Sequence, residues 1–374
     1  MRQIFLFLAL GFILASCQSS KESGIDGFKI KRGTNISHWL SQSTVRGPQR
    51  AAFFTEEDVK NLAAYGFDHL RIPVDEEQLW NEQGEKEPEA FQLLHQAIQW
   101  CIQYDLRVIV DLHIIRSHHF NAANDGGKNT LFEDEKEQDK LIDFWYQLSD
   151  ELKEYPTDYV AYEFMNEPVA PDHEQWNQLI AKVHKALRER EPNRVLVIGS
   201  NMWQGVGTFP FLKVPRGDKN IILSFHFYEP FLLTHYKASW TNLRNYQGWV
   251  HYPGLMVTPE EYEQLSPEDK ALAESWRVEW NRDSLVSLMS EAIRVAKEYD
   301  LQLFCGEWGV THNAPKEDAW NWYRDMISVF DEYNIAWTTW DYKGGFGFMK
   351  RDGTGMYDQT LLDILMAGKP LGAQ

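Results

Sequence analysis

The 374-residue sequence is poor in cysteine, in basic residues and in long apolar runs, and each shortage closes off a class of function. Cys17, Cys101 and Cys305 are too few and too widely spaced for a disulfide-stapled scaffold or a cysteine-rich zinc site. Cys101 falls in a helical pattern and Cys305 in a strand pattern, so both are expected to be buried free thiols. Lysine and arginine number 37 against 55 aspartates and glutamates, a formal net charge of −18. Such a chain lacks the concentrated cations that phosphate contacts require, which argues against a nucleic-acid partner. A neutral small molecule or neutral polymer stays compatible, and the acidity itself reads as solubility. Internal repeats and low-complexity linkers are missing as well. The first strand candidate runs into RGTNISHWL, which is no glycine-rich phosphate turn.

The apolar run from Ile4 to Leu14 follows a single positive charge. It is too short to span a bilayer as a stable helix and suits the core of a signal peptide. Leu14-Ala15-Ser16-Cys17 resembles the bacterial lipobox, in which the cysteine is lipidated and begins the mature chain; a plain secretory signal is the alternative. The expected organisation is a signal peptide over 1–17, a polar tether over 18–27 and one domain over 28–374. The expected location is a membrane face, periplasmic or cell-surface, reached through the lipid alone, with the protein a monomer.

What the sequence does have is aromatic side chains, 14% of residues with 15 tryptophans. Tryptophan is seldom fully buried, so part of this surplus is expected to line a groove. Eight apolar or β-branched runs read as strands: 28–37, 68–74, 106–113, 159–166, 193–200, 220–228, 301–309 and 335–342. Amphipathic helical patterns separate most of them, the first opening on Thr55 with an acidic turn and closing on Gly66. Eight alternating units in this length predict an α/β fold, a single closed (β/α)8 TIM barrel. The connection 229–281 is far longer than the rest and carries Trp240, Trp249, Tyr252, Trp276 and Trp280. A barrel would place it on the C-terminal face, where loops carry function.

Six of the strands end in polar residues: Arg71, His113, Asn166 with Glu167, His226 with Tyr228, Glu307, and Trp340 with its indole N–H. Barrel enzymes carry their chemistry at this end. Two of these residues are glutamates on strands four and seven, which lie across the mouth from each other. Paired carboxyls, one ionised and one protonated, are what glycoside hydrolysis requires. FMNEP, CGEWG, RIPV, DLH and SFHFY, in this order along nearly the whole chain, resemble glycoside hydrolase family 5. That resemblance implies Glu307 as nucleophile and Glu167 as general acid/base in a retaining double displacement. It further implies Arg71, Asn166, His226 and Tyr228 as support for the nucleophile and transition state. Asn35, His113 and Trp340 would contact substrate, and no cofactor or metal is implied.

Other residues carry competing readings. Glu163 points inward by strand alternation but lower, and is read as a structural partner of Arg71. Glu229 reads as a loop carboxylate; Asp341 and Tyr342 fit either the rim or packing. His113, His118 and His119 cluster in DLHIIRSHHF, but loop histidines without supporting ligands read as rim groups rather than a metal site. Trp39 and the long-loop aromatics are candidate sugar platforms. YEPFLLTHYKASW resembles the loop of family members that cut β-1,4-glucans, which implies His235 and Trp240 as binding residues, although Tyr236-Lys237 replaces the usual Gln-Gly. The resemblance thus implies an endo-β-1,4-glucanase acting on β-glucan. Its alternatives are a β-mannanase, a xyloglucanase, an exo-β-1,3-glucanase or a non-catalytic glycan-binding lipoprotein.

Overall fold

The computed structural model describes residues 27–122 and 129–372. The expected signal peptide, Cys17 and the tether up to residue 26 lie outside the described residues. Eight parallel strands close into a barrel: β1 (Arg32–Asn35), β2 (His69–Asp75), β3 (Arg107–Ile114), β4 (Val160–Glu163), β5 (Leu196–Gly199), β6 (Ile221–Phe227), β7 (Gln302–Trp308) and β8 (Ala336–Thr339). Each strand pairs with the next in chain order. β8 returns to β1, with Trp337 opposite Arg32 and Thr339 opposite Thr34.

Apart from β2 and β3, which keep their expected length one residue further along, the paired spans are shorter than the apolar runs that forecast them. Pairing on β4 stops at Glu163, three residues before the expected end, because the chain then leaves the pleat and reaches φ +44 at Glu167. Helices Pro88–Gln103, Glu135–Leu152, His173–Arg190, Arg282–Tyr299 and Lys316–Glu332 cover the outside with their apolar stripes. Glu56–Tyr65 opens on a Thr55–Asp58 capping box and stops at Gly66, φ +101, as its end signals predicted. The β5–β6 connection has no long helix, only the tight turn Asn201–Gln204 and the 3-10 segment Val206–Phe211.

Side chains inside the barrel form layers. Phe28, Ile30, Ile109, Val197, Ile222 and Phe304 make a dry floor at the N-terminal end. One alternation further up stand Arg71, Asp111 and Glu163, none of them exposed. Cys101 and Cys305 are buried free thiols, as expected. The long connection has structure of its own: helices Phe231–Thr234, Pro259–Gln264 and Pro267–Ala273, and a ribbon pairing Gly254–Leu255 with Glu279–Trp280. Tyr252 is buried there, whereas Trp240 and Trp249 stay exposed. Among the described residues no helix is long and apolar enough to cross a membrane.

Candidate active site

Arg71, expected at the end of its strand, stands inside β2, four residues before Asp75, and organises the mouth of the barrel from there. All five of its N–H donors are engaged. Nε gives a bond of 2.7 Å to Glu163 Oε2, and Nη1 reaches Asn35 Oδ1 at 3.0 Å and Glu307 Oε1 at 2.9 Å. Nη2 reaches Glu163 Oε1 at 3.2 Å and Asn166 Oδ1 at 2.8 Å. Asp111 Oδ2 stands 3.0 Å from the same Nη2 and accepts or shares a proton with His113 Nδ1 at 2.7 Å. The expected Glu163–Arg71 pairing is therefore present, bidentate and fully buried.

Glu307 reaches this cation through an irregularity. Phe304 faces the floor, so strict alternation would turn Glu307 outward. The β6–β7 register shifts instead: Phe225 faces Cys305, and the next residue, His226, faces Glu307. Gly306 is the extra residue of this bulge, and a bulge re-aims the side chain that follows it. A Cβ on Gly306 would lie 2.9 Å from Ser224 Oγ and 3.1 Å from His226 Nε2, so any larger residue would have to displace one of them.

Glu167 faces Glu307 from the end of β4. An oxygen of each, together with a ring nitrogen of His226, lie within 4.8 Å of one another. Glu307 receives Arg71 on one oxygen and the Tyr228 hydroxyl on the other at 3.1 Å. Glu167 has His226 Nδ1 at 2.9 Å and no cation. One guanidinium thus contacts Asp111, Glu163 and Glu307 but not Glu167, which feels its charge only at a distance. Burial, then the charge of Glu307, pushes the Glu167 carboxyl well above the usual range. Burial raises Glu307 too, but Arg71 and Tyr228 oppose it. The proton of the pair therefore rests on Glu167. Burial and Arg71 keep His226 neutral.

Four buried polar atoms of this cluster, Asn166 Nδ2, His113 Nε2, His226 Nε2 and Asp111 Oδ1, have no protein partner. Trp340 lies parallel to the His113 ring, centroids 5.6 Å apart. Asn35 Nδ2 is tied to the carbonyls of Gly306 and Thr339, so this side chain holds β1, β7 and β8 together behind the site. His235 stacks on Phe231 and meets Tyr228 and Trp240 edge-on; burial lowers it to about 3. Trp240 is 59% exposed beside it.

One expected platform is corrected. Trp39 is 1% exposed, its indole N–H bonded to Arg50 O at 2.9 Å and its ring against Phe54, so it belongs to the core rather than to a groove. Glu229 accepts the Phe231 N–H as a loop carboxylate. Asp341, buried beside Ser37 and the Gly344 N–H, and Tyr342, bonded to Asp58, are packing groups. His118 accepts the Val169 N–H and His119 the Asn121 N–H, so both hold loops. Two residues of the site had not been singled out. Asp111 shares the inward parity of His113 and was legible on that ground. Gln204, whose side chain touches both Glu163 and the Glu167 backbone, sits in a turn with no sequence signal.

A barrel whose mouth holds two close carboxyls of unequal acidity has the equipment of a glycoside hydrolase. The cellulase model, glycosyl hydrolase family 5, matches residues 26–345, and the chain belongs to that family. Endoglucanase C of Acetivibrio thermocellus is 33% identical over 320 residues, 84% of this chain and 91% of that protein. Cellodextrinase A of Ruminococcus flavefaciens is 26% identical over 82% of this chain and 84% of its own length. Endoglucanase Cel5A of Thermotoga maritima has the same fold, with a TM-score of 0.69 at 22% identity over 90% of this chain and 96% of that one.

Proposed function

We propose that this glycosidase is an endo-acting β-1,4-glucanase working with retention of configuration. The carrying observation is the Glu167–Glu307 pair within 4.8 Å, with the cation on Glu307 alone. Inverting enzymes hold their carboxyls roughly 6.5–9.5 Å apart to admit a water, whereas retaining ones keep about 5–5.5 Å. Glu307, ionised and oriented by Arg71 and Tyr228, attacks the anomeric carbon. Glu167 gives its proton to the departing glycosidic oxygen, and a glycosyl–Glu307 ester forms. Water then gives a proton to Glu167 as its oxygen bonds to the anomeric carbon, and the ester carbon–oxygen bond breaks to free Glu307. Asn166 Nδ2 is available to the sugar 2-hydroxyl, a bond that strengthens as positive charge grows at the ring. His113 Nε2 is available to a second hydroxyl. The name of Endoglucanase C, at 33% identity, favours glucan over mannan.

The test is a product profile on carboxymethyl cellulose, mixed-linkage β-glucan, xyloglucan, mannan and laminarin. Endo action on β-1,4-glucan predicts a fall in viscosity ahead of reducing ends, with a β-anomer as first product by NMR. A first-formed α-anomer would overturn the double displacement, and a preference for mannan would overturn the substrate. Cys17 as a lipidated anchor belongs to the same reading: Cys17→Ala should move the protein from the membrane fraction to the soluble one.

A further inference from the structure

The turn after β5 is the most contorted backbone near the site. Met202, Trp203 and Gln204 are three consecutive residues with left-handed φ of 55, 59 and 53° and no glycine among them. Each such residue brings its Cβ too close to the following carbonyl oxygen and is disfavoured in a chain of L-amino acids. Strain of this kind persists where surrounding contacts over-determine it, typically at functional sites.

Trp203 Nε1 is held by Phe120 O at 3.0 Å, but four of the contacts run to one segment, the Glu167 loop. Asn201 exchanges two bonds with the Ala170 backbone, both 2.9 Å. The Trp203 N–H donates to Pro168 O at 3.2 Å, and the Glu167 N–H donates to Gln204 Oε1 at 3.2 Å. Glu167 itself sits at φ +44 directly before Pro168, although a residue before proline favours extended backbone. The far end of the same amide donates through Nε2 to Glu163 Oε1 at 3.1 Å. Glu163 holds Arg71, and Arg71 holds Glu307. The Gln204 side chain is unexposed and lies in a slot cut by Gly199: a Cβ there would meet Gln204 Nε2 at 2.2 Å.

We propose that Gln204, clamped by the left-handed turn and the Gly199 slot, is a positioning residue for the acid/base Glu167, which it ties through Glu163 and Arg71 to Glu307. The two carboxyls on opposite sides of the mouth are thereby fixed to one another by protein on the side away from the substrate. This proposal rests on Glu167 being the acid/base. Gln204 touches no reacting atom; it sets where the Glu167 carboxyl stands when the glycosidic oxygen leaves.

The experiment compares a cello-oligosaccharide, whose leaving group needs protonation, with an aryl cellobioside carrying a nitrophenolate, which does not. Variants are Gln204→Met, which removes both amide bonds, Gly199→Ala, which displaces an intact Gln204, and Glu167→Ala as reference. A misplaced acid should lower kcat on the oligosaccharide about 10–100-fold, the scale of a 1 Å error in catalytic geometry. The aryl substrate should lose only a few-fold and regain rate with azide. Equal losses on both substrates, or none, in a folded Gln204→Met or Gly199→Ala would overturn the positioning role while Glu167→Ala still shows the split. Should Gln204→Met fail to fold, Gly199→Ala decides alone. If Glu167→Ala itself shows no split, the acid/base assignment falls, and the role of Gln204 with it.

Discussion

At the floor of the barrel Phe28, Ile109, Ile222 and Phe304 meet as bare hydrocarbon; two to four residues further along the same strands stand Asp111, His226 and Glu307. The floor is stabilised by burying apolar surface, which is non-directional and sensitive mainly to volume. The mouth buries three carboxyls around one guanidinium, with Glu167 beside them, and such a cluster stabilises little by itself. Its worth is geometric, because every Arg71 donor is fixed and the unpaired proton has one place to go. A hollow of about 840 Å³ lies beneath the floor, lined by Phe28, Lys31 and Asp331. Lys31 there is already bonded to the carbonyls of Phe330 and Ile335, with Asp331 3.6 Å away.

The sharpest way to break this contrast is to change each end by one side chain. Glu307→Gln at the mouth should lower kcat by about 10⁴-fold or more, the loss typical of a removed nucleophile, with the denaturation midpoint unchanged or raised. Phe28→Ala at the floor should do the reverse, destabilising by about 3–5 kcal/mol while kcat of the folded protein stays within two-fold. Urea titration and initial rates on the same preparations check both. A Phe28→Ala protein that is stable but slow would show that floor and mouth are mechanically coupled.

A smaller effect tests the charge argument through pH. Burial and the neighbouring Glu307 raise the Glu167 carboxyl above its unfolded value of 4.5. The native state then keeps a proton that the unfolded chain has released, so stability falls as pH rises from the unfolded value through the native one. Glu167→Gln removes that dependence. Its melting temperature should exceed that of the parent at pH 7–8, and the gain should vanish below about pH 4, where both states of the parent are protonated. A gain that persists at pH 3 would come from packing, not titration.

The barrel was legible because its strands and helices differ in hydrophobic period, and the mouth because its polar residues sit at strand ends. Glu163 was placed correctly by strand parity alone, and the same parity two residues before His113 marks Asp111. Parity fails at Glu307, where the Gly306 bulge reverses it; the motif, not the alternation, identified that residue. Gln204 and its turn left no trace, since left-handed backbone usually advertises itself through glycine or asparagine and Met202-Trp203-Gln204 has neither at its strained positions. Trp39 was misplaced for a plainer reason. A tryptophan in a loop after β1 can pack inward or outward, and only the Arg50 carbonyl that receives its N–H decides.

The two tryptophans also supply the finest test of where mouth ends and core begins. Trp240 is 59% exposed beside His235 and Phe346, centroids 6.1 and 6.0 Å away, while Trp39 is shut in by Phe54. An exposed indole that stacks on a sugar contributes about 0.5–1.5 kcal/mol, equally in ground and transition states. Trp240→Ala should therefore raise KM for the polymer about 3–10-fold with kcat nearly constant. Trp39→Phe keeps most of the buried ring and loses one hydrogen bond, so it should reduce stability by about 1 kcal/mol and leave KM alone. If Trp39→Phe raised KM and Trp240→Ala did not, the cleft would run past β1 instead of along the loop after β6, and the substrate path would have to be redrawn on that side of the barrel.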